Sequence, residues 1–461
     1  MRKLFIVLAF LIVTGANAQN ELSNFSATGR GGVVNTFATD YQAIGINPAN
    51  LGIEGSAFVS FSIAEIGAGV SSQSLTRKQL AKFISGVDDP MTQQEKQEYA
   101  AAFNNENALN TNVDATSFAI SVKLPQVGGF SFSHRYRLAG HMGLNQTFAE
   151  ILFLGQNAPI YQNFDPTNAP KVSDVFDNTK LQLSWLSEFN LAYGRTLSET
   201  IGSGLYGGVG YKYIRGIGIL DLVIEDGTVR AYSALSPAFN VDYGNLTSLP
   251  TFNYQGDKSG LAAVGSGHGF DIGLAFNINE KTKAGLSVTD LGFMEWEGNL
   301  ITAFDQPLQL VTSNGISTFN LFEQIPQFTG SGDESLLSYE AEQKRRTKLP
   351  ARLRTGVGIK LAEKFEGGLD VTFPLNDVAG NLPGVFIGAG IDFKPVPVVR
   401  ISTGFTGGAG HGFNVPLGFT LVTPVYEAGI ATRDITGFIV KENPYFSFAF
   451  GFLRFKIHRA V

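Results

Sequence analysis

Apolar and polar residues alternate at period two along most of the chain, the repeat of a β-strand with one greasy and one polar face. Between Leu181 and Arg195 one parity reads Leu181, Leu183, Trp185, Phe189, Leu191 and Tyr193, while the other carries Gln182, Ser184, Glu188, Asn190 and Gly194. Phe270, Ile272, Leu274 and Phe276 oppose Gly269, Asp271, Gly273, Ala275 and Asn277 in the same way. Over 351–361 Leu353, Val357 and Ile359 oppose Arg352, Arg354 and Lys360, and no soluble core accepts three cations on one face. The pattern predicts strands at 56–70, 115–124, 129–142, 181–196, 202–216, 266–277, 281–292, 350–361, 364–374, 384–394, 397–406, 411–421, 424–432 and 445–457. In the last of these the phenylalanines change parity after Phe452, which predicts a β-bulge.

A soluble β-sandwich would alternate too, with its apolar face turned inward. Connection lengths separate the two. Short turns at 125–128, 278–280, 362–363 and 395–396 alternate with long loops at 71–114, 143–180, 217–265 and 293–349. That asymmetry is expected of a membrane barrel with short turns on one side and long outer loops on the other. The expected fold is therefore all-β, a transmembrane antiparallel β-barrel of about fourteen strands. Hydrocarbon offers the backbone no hydrogen bonds, so such a sheet must close on itself. Its apolar parity then faces lipid, with Trp185, Tyr193, Tyr211 and Tyr213 as candidate interfacial aromatics.

The N-terminus fits this destination. Arg2 and Lys3 precede an apolar run from Leu4 to Val13 and then Ala16-Asn17-Ala18, the pattern of a secretory signal peptide over 1–18 with Gln19 as the mature start. The run is shorter than the roughly 20 residues a membrane-spanning helix needs. An uncleaved anchor is the alternative reading. The chain has 54 Gly, 38 Phe and no Cys, so its stability rests on a hydrogen-bonded sheet and packing without disulfides. A net charge of −6 and the lack of a Lys/Arg cluster argue against nucleic acid as a partner. Outer-membrane lipid is the expected one, in the outer membrane of a Gram-negative cell.

Ahead of the first strand, 19–55 is Gly-rich and polar and contains Asn47-Pro48-Ala49-Asn50-Leu51. This stretch resembles the opening motif of fatty-acid-transporter-like (FadL-like) outer-membrane barrels. The resemblance implies a fourteen-stranded barrel over 56–461 whose N-terminal segment forms a hatch in the lumen. Read from the residues alone, the Asn-Pro pair is equally a simple turn. Gly129-Phe130-Ser131-Phe132 with Arg135 and Arg137, Gly210-Tyr211-Lys212-Tyr213, and Phe270-Asp271-Ile272-Gly273 with Asp290-Leu291-Gly292 are similar to an uncharacterised Bacteroidota branch, a domain of unknown function.

No enzymatic constellation stands out, and no cofactor or metal is expected. Gly202-Ser203-Gly204-Leu205-Tyr206-Gly207 has dinucleotide-type glycine spacing but opens a strand, with no helix to hold a pyrophosphate. His134, His141, His268, His411 and His458 lack helical i, i+4 spacing and Cys partners. The polar parity places Arg135, Arg137, Glu188, Asp271, Arg352, Arg354, Glu366, Asp370, Asp392 and Arg400 in the lumen. There they form structural charge ladders, with a selectivity filter or catalytic carboxylates as the alternatives. In the first long loop Leu80, Phe83, Ile84 and Val87 share a helical face, and Thr92 with Glu95 forms a capping box. With Phe148 and Leu152 of the second loop, Leu80, Phe83 and Ile84 line an outer hydrophobic groove or pack as a lid.

Two functions remain open. The barrel passes a small hydrophobic compound through a hatch-gated lumen, or it is a scaffold whose outer loops bind an envelope or secretion-system protein. A charged lumen disfavours a simple greasy channel, and Pro416, on the lumen parity of its strand, is one place where a missing donor could open the wall.

Overall fold

The computed structural model describes residues 22–53, 57–103, 108–256, 261–320, 336–382, 384–410, 412–440 and 442–458. The signal peptide expected over 1–18, His411 and the terminal Arg459-Ala460-Val461 lie outside the described residues. Among the described residues eighteen strands form one sheet. They are β1 (Val59–Ser71), β2 (Leu109–Leu124), β3 (Gly128–Gly143), β4 (Thr179–Ser198), β5 (Leu205–Glu225), β6 (Thr228–Leu235), β7 (Gly265–Asn277), β8 (Thr282–Trp296), β9 (Leu300–Phe304), β10 (Ser338–Ala341), β11 (Arg345–Lys348), β12 (Arg352–Ala362), β13 (Phe365–Pro374), β14 (Phe386–Val396), β15 (Val399–Gly408), β16 (Leu417–Val422), β17 (Tyr426–Thr432) and β18 (Tyr445–Ile457).

Fourteen of these close into an antiparallel barrel. The wall runs β1-β2-β3-β4-β5-β7-β8-β12 and on in chain order to β18, which pairs back onto β1 from Val59↔Ile457 to Ser71↔Tyr445. All fourteen sequence-predicted strands fall on this wall. Closure gives each wall strand a partner on both sides, which is what lets the sheet sit in lipid. The outward parity carries exposed Leu191, Val209, Ile272, Leu369, Phe419 and Phe448. The inward parity carries Ser131, Asn190, Asp271, Arg354 and Asp392, all buried. An apolar outer face around a polar interior marks an outer-membrane protein.

Four strands were not foreseen. β6, β9, β10 and β11 lie inside the stretches read as loops, and β5 runs on to Glu225. Above the wall β5 leaves β7 and pairs with β6 from Gly218↔Leu235 to Glu225↔Thr228. The two strands turn on Asp226 and Gly227, both left-handed at φ +51° and +69°. A two-residue Asp-Gly turn is the shape that matches strand twist in a hairpin. That signal was present in the sequence, but β5 beyond Gly216 is apolar on both parities and showed no alternation.

The longer outer helices among the described residues are α2 (Arg77–Ser85), α3 (Gln93–Ala102) and α4 (Gln146–Leu154), after a short α1 (Phe25–Gly29) in the N-terminal segment. Capping boxes start α2 at Thr76 with Gln79 and α3 at Thr92 with Glu95. Phe83, Tyr99, Phe103, Phe153 and Phe319 meet ring to ring at centroid distances of 5.1–6.4 Å. The same apolar cluster includes Leu109, Met142, Leu181 and Leu183, which stand on the outward parity of the long strands. The long strands thus extend beyond the lipid band and give the helices a wall to pack on.

Candidate functional site

The lumen is filled by Leu22–Ile53, whose residues are nearly all buried. The segment has a small apolar core of its own, with Ala27, Val34, Ala38, Ala43, Ile46 and Leu51 against Ala192 of the wall. Phe25 also packs with Ala431 and Ala449 of the wall, and many of the remaining contacts are polar or glycine-lined. α1 lies against β15 to β18, with Phe25 set on Gly429 and Gly451. A 3-10 turn at Pro48–Gly52 rests on β4, β5 and β7. There Gly194, Gly208 and Gly273 let the backbone approach, since a Cβ on any of them would collide with Asn47 or Pro48.

Asn47 is the hub of that turn. Its side-chain amide donates to the Leu274 carbonyl at 3.0 Å and to Asn35 Oδ1 at 3.0 Å, while its own Oδ1 accepts the Ala49 N–H at 3.2 Å. Asn50 donates to the Asn35 carbonyl at 2.7 Å. Asn35 in turn donates to the Gly285 carbonyl at 2.8 Å. Ala49 packs with Ile53, Tyr206 and Ala275. Lys123, at the end of β2, donates to the carbonyls of Leu51 and Ile53 at 3.0 and 2.7 Å.

Two ionic clusters line the wall around the segment. In the first, Arg137 bridges Glu188 at 2.5 Å and Asp290 at 3.0 Å. Lys212 joins Asp290 to Asp271, the latter at 3.1 Å. Five residues from five neighbouring strands form this chain, all of them buried. Nearby, Arg135 holds Asp114 in a bidentate pair at 2.5 and 2.7 Å, and Asp114 also accepts the Ser23 N–H at 3.1 Å.

In the second cluster, Glu427 collects Arg400, Arg454 and Lys456 at 2.7, 3.2 and 2.5 Å. Arg454 also binds Asp40 of the segment at 2.6 Å. Arg30 of the segment reaches Asp392 at 3.2 Å, and Arg400 lies 3.9 Å from that carboxylate. Asp370 accepts two backbone N–H groups of the segment, from Val34 and Asn35, both at 2.7 Å.

The remaining charges sit apart. Arg352 donates to Asn381 and to the Gly380 carbonyl at 3.0 and 2.9 Å. These belong to the connection after β13, where Gly380 comes against Ser184 of β4 across the lumen. A second element therefore crosses the interior above the N-terminal segment. Arg354 is buried on the same face of β12, and Glu366 is half-buried beside Lys394 at 2.6 Å.

Of the ten expected lumen charges, Arg137 meets Glu188 directly, and Arg400 approaches Asp392. Several of the ten also meet charges that the sequence reading left unnamed: Arg135 meets Asp114, Arg137 meets Asp290, Asp271 meets Lys212, Arg400 meets Glu427 and Asp392 meets Arg30. Asp114 precedes the strand start drawn at 115. Asp290 has φ +59° at a β-bulge, so Thr289 and Asp290 both turn inward. Lys212 alternates with Tyr211 and Tyr213, and its parity alone would have marked it. Among the described residues no three His, Asp or Glu side chains converge as a metal site requires.

Of the outer set, Leu80, Phe83, Phe148 and Leu152 are buried in the aromatic cluster, while Ile84 is exposed. Burial pushes the Tyr99 phenol within that cluster above its ordinary range and lowers the Lys96 ammonium, which donates to the Asn314 carbonyl at 2.6 Å. Between the segment and β1 to β3 lies a cavity of about 30 Å³, lined by Ser23, Tyr41, Glu65, Thr116 and Arg135. That volume has room for a water or two and is too small for an organic ligand.

Known structures similar to this chain are barrels. It is similar to the toluene transporter TbuX of Ralstonia pickettii, with 11% identity over 95% of this chain and 99% of that one and a TM-score of 0.47. It is similar to the toluene transporter TodX of Pseudomonas putida, with 12% identity over 97% and 100% and a TM-score of 0.48. A FadL homologue from Pseudomonas aeruginosa is 10% identical over 97% and 100%, with a TM-score of 0.41. No curated protein matches. A family profile described as "Family of unknown function (DUF5723)" matches residues 48–426, most of the wall together with the Pro48 turn, and the chain belongs to that family.

Proposed function

We propose that this protein carries a small hydrophobic compound across the outer membrane of a Gram-negative cell, through a barrel that its N-terminal segment closes at rest. The observation that supports this is how Leu22–Ile53 is held. The segment has its own small core, and many of its wall contacts are hydrogen bonds and ion pairs beside small apolar patches. Each neutral hydrogen bond is worth about 0.5–1.5 kcal/mol net, because water can replace it. A body held this way can shift as a unit without unfolding the wall. Asn47 to Leu51 act as its latch, and the ion pairs that the segment makes with lumen charges hold the rest state in register.

The chemical class of the cargo is the one implied by the resemblance of the Asn47-Pro48-Ala49 opening to fatty-acid-transporter-like barrels. Leu80, Phe83, Phe148 and Leu152 pack as a closed outer lid, with Ile84 on its exposed side. An ionic lumen is a poor path for an apolar solute, so the cargo leaves through the wall at Pro416. Pairing of β15 with β16 ends at Thr403↔Leu417 and resumes only at a Thr406–Asn414 bridge. Gly31 of the segment abuts Thr406 and Pro416 on the inside. Movement of the segment uncovers that gap.

The test uses the absence of native Cys. Ser23 Oγ and Thr116 Oγ1 lie 3.3 Å apart, close enough for S23C/T116C to lock the segment to β2. Whole cells producing the wild type should take up radiolabelled toluene faster than cells without it. The oxidised double variant should lose that gain and regain it on reduction. Equal uptake in oxidised and reduced cells would overturn the gate, and no gain with the wild type would overturn transport.

A further inference from the structure

The strands are very unequal. β4 and β5 have 20 and 21 residues, whereas β16 and β17 have 6 and 7. Crossing hydrocarbon takes about 9–11 residues of tilted strand. On the β16–β17 side the strands alone fall short of the apolar band.

The connection after β17 has inverted polarity. Arg433 and Asp434 turn inward and are buried, while Ile435, Phe438, Ile439 and Val440 stand exposed, Ile439 at 74%. The loop is held in this state. The Ile435 N–H donates to the Val415 carbonyl at 2.8 Å, and Asp434 accepts from the N–H groups of Val415 and Thr436. Arg77 donates to the carbonyls of Phe438 and Ile439 at 2.7 and 3.1 Å. Gly437 lies against the Tyr445 backbone so closely that a Cβ would collide.

Beside it, Phe413 is 69% exposed and stacks on Phe405 of the outward wall at 5.3 Å. Phe438 meets Phe446 of β18 at 5.5 Å. The apolar surface is therefore continuous with the lipid-facing wall. The outer loop at 242–248 has ordinary polarity, with Tyr243 inward and Asp242, Asn245 and Ser248 outward.

We infer that the connections around Phe413 and over Ile435–Val440 are immersed in the acyl chains of the outer leaflet and complete the span that β16 and β17 leave short. They are a lipid footing, not solvent loops. A water-facing loop would not turn an Arg-Asp pair in and four large apolar side chains out. Fixing them to the wall through Phe405 and Phe446 places them where acyl chains replace water.

The test again exploits the Cys-free chain. I439C and N245C, each carrying an NBD fluorophore, are reconstituted in phosphatidylcholine vesicles with plain or brominated acyl chains. Retained heat-modifiable gel mobility reports folding, and F413C replaces I439C if the latter misfolds. The label at 439 should be blue-shifted, lose most of its emission to the brominated chains and resist iodide. The label at 245 should show the reverse. A 439 label open to iodide and indifferent to bromine overturns the inference. A label shielded from both quenchers overturns it too, because a second copy or another protein would then cover the surface.

Discussion

Asp290 shows how one backbone irregularity determines a site. Regular alternation would put either Thr289 or Asp290 in the lumen, but the bulge at φ +59° turns both inward. The carboxylate then lies between Arg137 and Lys212, and its own N–H donates to Asp271 at 2.9 Å. Removing one member of such a buried set leaves charges uncompensated, at a cost of about 3–5 kcal/mol. K212M is therefore expected to lower the urea midpoint of the folded barrel in micelles sharply, and K212M/D290N to recover part of the loss. An unchanged midpoint in K212M would mean that water reaches Asp271 and Asp290.

Among the elements, the N-terminal segment depends on Asn47. N47A removes one donation to the wall, one donation within the segment and the cap on Ala49, each worth about 0.5–1.5 kcal/mol, so amide exchange over 35–53 should quicken roughly tenfold or more. Exchange in β2 to β5 should not change, because the wall ladder does not include Asn47. Uniform acceleration across segment and wall would show that the two open together.

At the scale of the whole molecule, wall and filling are separable in principle. Every barrel strand finds both neighbours within the wall, and none pairs with Leu22–Ile53. Deleting 22–53 is therefore expected to leave a barrel with heat-modifiable mobility, its lumen charges solvated by water. Collapse of that variant in micelles would mean that the segment is needed as a core.

How much was legible follows the same division. The period-two pattern specified fourteen wall strands, because a surface between lipid and a polar interior imposes its two faces on each strand separately. Alternating connection lengths specified which end carries the loops. The ten charges were readable as sharing the polar parity for the same local reason, and the Thr92–Glu95 box because capping spans only four residues. Lys212 obeyed the same rule and went unnoticed. Pairings such as Arg454 with Asp40, 414 positions apart, were not readable, since closure of the ring brings them together. Nor were the outer strands β9 to β11, which are too short to show a period. The inverted loop after β17 looks like any apolar run until the wall shows which way Arg433 and Phe438 point. The sequence by itself determined a membrane barrel and its two faces, since each strand meets lipid and lumen independently. What fills and crosses the lumen, and which loops touch lipid, only the tertiary structure decided, because those depend on contacts among distant segments.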